Sequence, residues 1–232
     1  MTDGSQTFVI VGGGLAGAKA AEALRVEGFE GRVVLLAEEP VRPYERPPLS
    51  KAYLRGEAGF DQAAVHKEGF YQAHDIELRT LTPVAAVAAR AGQVVLASGE
   101  ALSYDALLLA TGATPRRLPV PGAELQGVRY LRDLSEADDL RRGIEAAARV
   151  VVIGAGWIGC EVAASARQMG REVALAELAS LPLERVLGPE VGAVYRDLHA
   201  EHGVELHLGV GVEALRGHRV VEEVALTDGS TL

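Results

Sequence analysis

The chain has 232 residues with 23 basic and 32 acidic side chains, a formal net charge of −9 that excludes binding to nucleic acid or an anionic membrane surface through overall charge. With 48% hydrophobic and 24% charged residues it reads as a globular chain of one or two domains, not a disordered one. One cysteine excludes a disulfide framework and a CxxC redox or zinc site, and no apolar run approaches the ~18 residues that span a bilayer, so a soluble, cytoplasmic protein is expected.

From Phe8 the sequence reads FVIVGGGLAG, an apolar run of strand length that breaks into glycines. AKAAEALRVEG follows with helix-forming composition and ends at Gly28, a plausible C-cap. RVVLLAEE is a second apolar strand, which completes a βαβ unit with a right-handed crossover. PVRPYERPPLSKAYLRGEAG is rich in proline and charge and reads as an ordered loop leading into a short helix. GFYQAHDIELRT predicts a helix and a strand, VAAVAARAGQVVLASGEALS two strands around an Ala-Gly turn, and DALLLATGA a buried strand ending in glycine. TPRRLPVPGAE, with three prolines, is the candidate linker, dividing the chain into a domain over 1–113 and another over 114–232. SEADDLRRGIEAAA predicts a helix with a capping-box-like start at Ser135, three residues before Asp138.

From Val150 the first pattern returns as VVVIGAGWIG, CEVAASARQMG and REVALAEL. Setting Gly12, Gly14 and Gly17 against Gly154, Gly156 and Gly159 also aligns Arg25 with Arg167 and Gly28 with Gly170. Deleting Phe29 to Gly31 from the first copy then places Glu38 opposite Glu177. The period is too long for a solenoid, so the chain is expected to hold two Rossmann-like, three-layer α/β dinucleotide-binding domains. The remainder predicts a helix and short strands, with Asp228-Gly229 as a hairpin turn.

Each Gly-x-Gly-x-x-Gly follows a strand and opens a helix. The first glycine permits the tight turn, the second lets a diphosphate approach the backbone, and the third lets helix and strand pack closely. The helix N-terminus, with its free N–H groups and positive dipole end, then holds the diphosphate. Glu38 and Glu177, ending the next strands, are placed to accept hydrogen bonds from a ribose diol. After Glu177 no Arg or Lys follows until Arg185, so nothing compensates a 2′-phosphate and NAD(H) is favoured over NADP(H). Trp157 and Ile158, inside the second glycine turn, are expected at the nucleotide. Cys160 reads as a small buried filler, and His199 and His202 as solvated helix residues without a third ligand to make a metal site. On position alone, Lys51 reads equally as a solvated loop lysine and Glu161 as a surface helix charge.

The segments VGGGLAG, PYERPPLSK, LLLATGA, YLR, GAGWIGCE and LERVLGPEVG together resemble the ferredoxin reductase-type flavoproteins, which include rubredoxin reductases, and they span nearly the whole chain. PYERPPLSK discriminates, because other two-dinucleotide flavoproteins carry a redox cysteine in or near this region and Val41 to Lys51 holds none. The resemblance implies FAD on the first unit, NAD(H) on the second, and electron delivery to a ferredoxin- or rubredoxin-type protein. It implies that Gly12, Gly14, Ala16, Gly17 and Glu38 hold the ADP half of FAD and that the Val84 backbone pairs with adenine. It places Lys51 beside the isoalloxazine, Thr111 and Gly112 near the flavin, Arg132 on the cofactor, and Glu161 facing Lys51 across the nicotinamide pocket.

In that family a further strand ends in a Gly-Asp pair that binds the ribityl-phosphate side of FAD, and a C-terminal domain follows. No Gly-Asp dipeptide occurs here, so both domains are expected to be truncated at the C-terminus. The alternative to an enzyme is a non-catalytic dinucleotide-binding module.

Overall fold

Runs such as FVIV, RVVLL and EVALA have no polar alternation because their strands are buried on both faces, the signature of parallel sheets; RVVVI has the same pattern but is only part-buried. A computed structural model describes residues 5–232. The chain divides into two units: residues up to Glu45 with Phe60–Ala113, and Arg46–Gly59 with Thr114–Leu232. The break at 113/114 falls at the start of the proline-rich segment. The first segment is nevertheless not continuous: residues 46–59, which the sequence places inside the first domain, belong to the second unit.

The first unit contains β1 (Thr7–Val11), α1 (Leu15–Val26), β2 (Arg32–Leu36), α2 (Phe60–Ala63), α3 (Phe70–Ala73) and β3 (Ile76–Arg79). It continues with β4 (Val84–Ala88), β5 (Gln93–Leu96), β6 (Ala101–Ser103) and β7 (Ala106–Leu109). A parallel sheet runs β3-β2-β1-β7, with Val9 paired to Val34 on one side and Leu107 on the other. Side chains alternate across it. Ile10, Val33 and Leu35 pack against Ala18 and Ala21 of α1, with Phe29, Tyr71 and Ile76. Val9, Val11, Val34 and Leu36 pack on the opposite face against Val94, Leu96 and Leu102. That third layer is an antiparallel meander, β4-β5-β6, where the sequence predicts two strands; the extra one is only three residues long.

The second unit repeats the plan with α4 (Leu134–Ala146), β8 (Arg149–Ile153), α5 (Trp157–Gln168), β9 (Glu172–Glu177), α6 (Glu184–Glu201) and β10 (Val204–Leu208). Strands β11 (Val212–Arg216) and β12 (Glu223–Leu226) form an antiparallel pair. The parallel sheet runs β10-β9-β8. One face packs on α5, with Val173 and Leu175 against Cys160, Ala163 and Ala166. On the other, Ala176 and Val151 meet Leu215, Val224 and Leu226. The proline-rich segment is no free linker, because its Leu118 and Val120, with Leu125 and Val128 just after it, pack into this second cluster. Helix α4 is capped by Asp133, which accepts from the Glu136 N–H at 2.8 Å, two residues before the predicted cap. Among the described residues no helix is long and apolar enough to cross a membrane.

Segment 46–59 is tied in by Leu54, fully buried in the cluster of α5 and β9, and by Tyr53, whose hydroxyl donates to Asp138 at 2.8 Å. Truncating a buried leucine costs about 2–5 kcal/mol. Leu54→Ala should therefore lower the urea midpoint of the transition reported by Trp157, the chain's single tryptophan, which lies in the second unit. An unmoved tryptophan transition would place the segment outside that core.

Candidate dinucleotide sites

Strand β1 ends at Gly12, whose φ of +125° leads the chain back across the sheet end. A Cβ there would stand 2.1 Å from the Ala110 carbonyl oxygen, so the Ala110–Thr111 peptide just after β7 presses directly on it. Gly14 caps α1 without a side chain, and a Cβ on it would meet nothing within 4 Å. A Cβ on Gly17 would stand 2.0 Å from the Gly12 carbonyl oxygen. The second turn repeats the positive φ, the open middle glycine and the close third contact, but a Cβ on Gly154, unlike one on Gly12, would meet nothing within 4 Å. Gly154 has φ +95°, a Cβ on Gly156 would meet nothing within 4 Å, and one on Gly159 would stand 1.9 Å from the Gly154 carbonyl oxygen. In each unit, then, two glycines are demanded by the protein itself, and the middle one opens onto free space. That space lies at an uncapped helix N-terminus, where unpaired amides and the helix dipole attract a diphosphate. The cradles fit the diphosphates of FAD and NAD(H).

The first-turn side chains are outward: Ala16 and Leu15 on α1, and at the matching positions Ile158 (51% exposed) and Trp157 (46% exposed) on α5. Trp157 meets Tyr195 edge-on at 6.3 Å.

The two acidic residues are not equivalent. The Gly12 N–H donates to the Leu36 carbonyl at 2.9 Å and the Gly154 N–H to the Ala176 carbonyl at 2.8 Å. Leu36 lies 24 residues after Gly12 and Ala176 lies 22 after Gly154, so the copies differ here by two residues, not three. Glu177 therefore corresponds to Ala37, and Glu38 to Leu178. A Cβ on Gly13 would stand 2.4 Å from the Ala37 Cβ, whereas Ala155, at the matching place, faces a longer residue and hydrogen-bonds it. Glu177 Oε2 accepts from the Ala155 N–H at 2.6 Å and Oε1 from the Ala179 N–H at 2.8 Å. Glu38 is exposed and makes no hydrogen bond or ion pair among the described residues.

Lys51 and Glu161, distant in sequence, meet within the second unit. Lys51 Nζ lies 2.7 Å from Glu161 Oε2 and donates to the Pro47 carbonyl at 3.1 Å. The same Oε2 accepts from the Ser50 hydroxyl at 2.5 Å. Lys51 is 44% exposed, so the pair contributes only ~0–1 kcal/mol to stability. Ser50 was silent as an isolated residue. Ser165, which donates to the Ser50 carbonyl at 2.6 Å, stands four residues after Glu161, a spacing that puts both on one helix face.

The other candidates are scattered. Val84 opens β4, paired with Leu96 and part-buried in the meander core. Arg132 is half-buried; its carbonyl accepts from Arg46, and its guanidinium has no partner among the described residues. Cys160 is buried, and burial, reinforced by the Glu177 and Glu161 charges, pushes its thiol up to about 11, far from a reactive thiolate. His199 is not solvated but buried, with Nδ1 2.9 Å from the Tyr195 carbonyl and Nε2 3.2 Å from that of Cys160. Among the described residues no cluster of His, Cys, Asp and Glu could hold a metal ion.

Because Glu177 pins the Ala155 amide, Glu177→Ala should speed hydrogen exchange at Ala155 in the ligand-free protein by about tenfold, the loss of ~1.4 kcal/mol from one charge-assisted hydrogen bond. Exchange at Gly13 serves as the internal reference. An unchanged Ala155 rate would show that the carboxylate does not order the turn.

Rhodocoxin reductase of Rhodococcus erythropolis is 43% identical over 209 residues, covering 90% of this chain and 49% of that protein. Putidaredoxin reductase of Pseudomonas putida is 42% identical over an alignment of 234 residues, covering 98% and 56%. The crystal structure of a covalent putidaredoxin reductase–putidaredoxin complex matches with a TM-score of 0.93 and 41% identity, covering 99% of this chain and 57% of that one. A ferredoxin reductase from Rhodopseudomonas palustris matches at 0.94 and 41%, covering 98% and 56%. The chain spans about half the length of the curated relatives it matches. With two glycine cradles of one design and residues 6–232 matched by the family's profile, the chain belongs to the pyridine nucleotide-disulphide oxidoreductases.

Proposed function

We propose that this polypeptide carries the FAD- and NAD(H)-binding units of a cytoplasmic reductase that takes hydride from NADH and passes electrons to a ferredoxin- or rubredoxin-type protein. The observation that carries the reading is the duplicated cradle, in which the middle glycine of each turn opens onto space at an uncapped helix end. Relatives whose names describe reductases of rhodocoxin, putidaredoxin and rubredoxin support the choice of acceptor class. When bound, FAD would supply a two-electron acceptor for hydride and a one-electron donor to the protein partner.

The residues divide that work. In the first unit, the amides at Gly14 and Ala16 hold a diphosphate while Glu38, without a partner among the described residues, accepts from ribose hydroxyls. The Val84 backbone is assigned to adenine, and Thr111 and Gly112 to the flavin side. The unpartnered Arg132 guanidinium is assigned to a cofactor anion. In the second unit, Gly156, Trp157 and Ile158 present the first turn of α5 to the NAD(H) diphosphate. Glu177, held by two amides, keeps lone pairs for the ribose diol and repels a 2′-phosphate. Lys51 holds a positive charge where electron density arrives, and Glu161 keeps that ammonium in place so that little reorganisation is needed. Cys160 is the single cysteine of the chain and is buried, so no dithiol step runs within these residues.

The test is nucleotide binding by calorimetry. NADH should bind at least about tenfold more tightly than NADPH, and Glu177→Ala should narrow the gap by weakening NADH and relieving NADPH. Equal affinities in the unaltered protein would contradict the assignment.

A further inference from the structure

We propose that Ser50 and Ser165 are positioning residues that set the Lys51–Glu161 pair, a step that rests on the role given to that pair above. Ser165 lies on α5 at 1% exposure and Ser50 follows the Pro47–Pro48 turn at 3% exposure. Neighbouring buried positions on α5 are filled by Ala163 and Ala166, which satisfy the packing without a polar group. A buried hydroxyl is unfavourable unless hydrogen-bonded, so the two serines need another reason.

Their bonds supply it. The Ser165 hydroxyl donates to the Ser50 carbonyl at 2.6 Å and accepts from Arg55 Nη1 at 3.2 Å. Arg55 is itself held in a two-pronged bond to Glu57 at 2.9 and 2.7 Å. The Ser50 hydroxyl has one proton and two acceptors in reach, the Pro47 carbonyl at 3.2 Å and Glu161 Oε2 at 2.5 Å. The shorter contact, to a charged oxygen, takes it. Glu161 and Ser165, one turn apart on α5, thus grip a single residue by its hydroxyl and its carbonyl. Lys51 is the next residue, and its ammonium reaches the same Oε2 that Ser50 holds. Helix α5 dictates where the ammonium stands, through Ser50.

Competitive acetylation of the ligand-free protein tests this without reference to turnover. The chain has three lysines, Lys19, Lys51 and Lys67, and exposed Lys67 is the reference. Acylation requires Nζ to leave its carboxylate, so the Lys51-to-Lys67 labelling ratio reads how firmly the ammonium is held. Ser50→Ala and Ser165→Ala should each raise the ratio about threefold or more. Ser50→Thr, which keeps the hydroxyl, should restore it, and Glu161→Gln should mark the upper limit. Trp157 fluorescence confirms folding in each case, and Ser50, in a turn, serves if Ser165→Ala fails to fold. A wild-type ratio in both alanine variants, with Glu161→Gln raised, would overturn the proposal and leave the pair intact. An unmoved ratio in Glu161→Gln would overturn it at its base. Failure of the NADH preference would sink the reductase reading while leaving this ratio standing.

Discussion

In both units a helix approaches a strand so closely that its third residue has no room for a side chain. The Gly12 and Gly154 carbonyl oxygens occupy the places where Cβ atoms of Gly17 and Gly159 would stand. This contact fixes how far each helix end stands from its sheet, and everything nearby follows. With the helix drawn in, the middle glycine faces outward at the N-terminal turn, and the unpaired amides there define an anion site. The first glycine must turn at positive φ because the strand end, the turn and the helix have so little chain between them. The same three constraints arise twice, with different neighbours, which is why the repeat is more informative than either motif alone.

The copies then diverge where the next strand ends. In the first, Ala37 packs against Gly13 and leaves Glu38 one residue further out, uncommitted. In the second, Glu177 reaches the Ala155 and Ala179 amides and becomes part of the turn. Among the described residues Glu38 has no partner, whereas Glu177 orders the loop. The two copies thus carry the same carboxylate but differ in what it bonds to.

The glycines, most strands and the repeat were legible because each is a local demand of the backbone, although β7, read as buried, leaves Leu108 and Leu109 exposed. So was Cys160 as a filler, since an apolar helix face surrounds it. Less was legible where the determinant is long-range. Residues 46–59 carry no composition that assigns them to one unit, and only Leu54, Tyr53 and the Ser50 contacts tie them to α5 and Asp138. The register of Glu38 was missed by one because a gap between two helices and strands can be placed in several ways, and the strand hydrogen bonds decide it. The solvated reading of His199 failed because its burial comes from α5, a helix 39 residues away. Ser135 lost the capping role to Asp133, whose extended backbone puts a carboxylate on the Glu136 amide.

The central claim is that the two cradles serve two different dinucleotides, and substituting the open glycine in each tests it most directly. Gly14→Ala and Gly156→Ala place a methyl group where the protein has nothing within 4 Å, so folding is spared and only a ligand is displaced. Titration of each variant with FAD and with NADH should give a loss of at least about tenfold, ~1.4 kcal/mol, for FAD alone in the first and NADH alone in the second. Equal losses of one ligand in both variants, or no loss in either, would contradict the account.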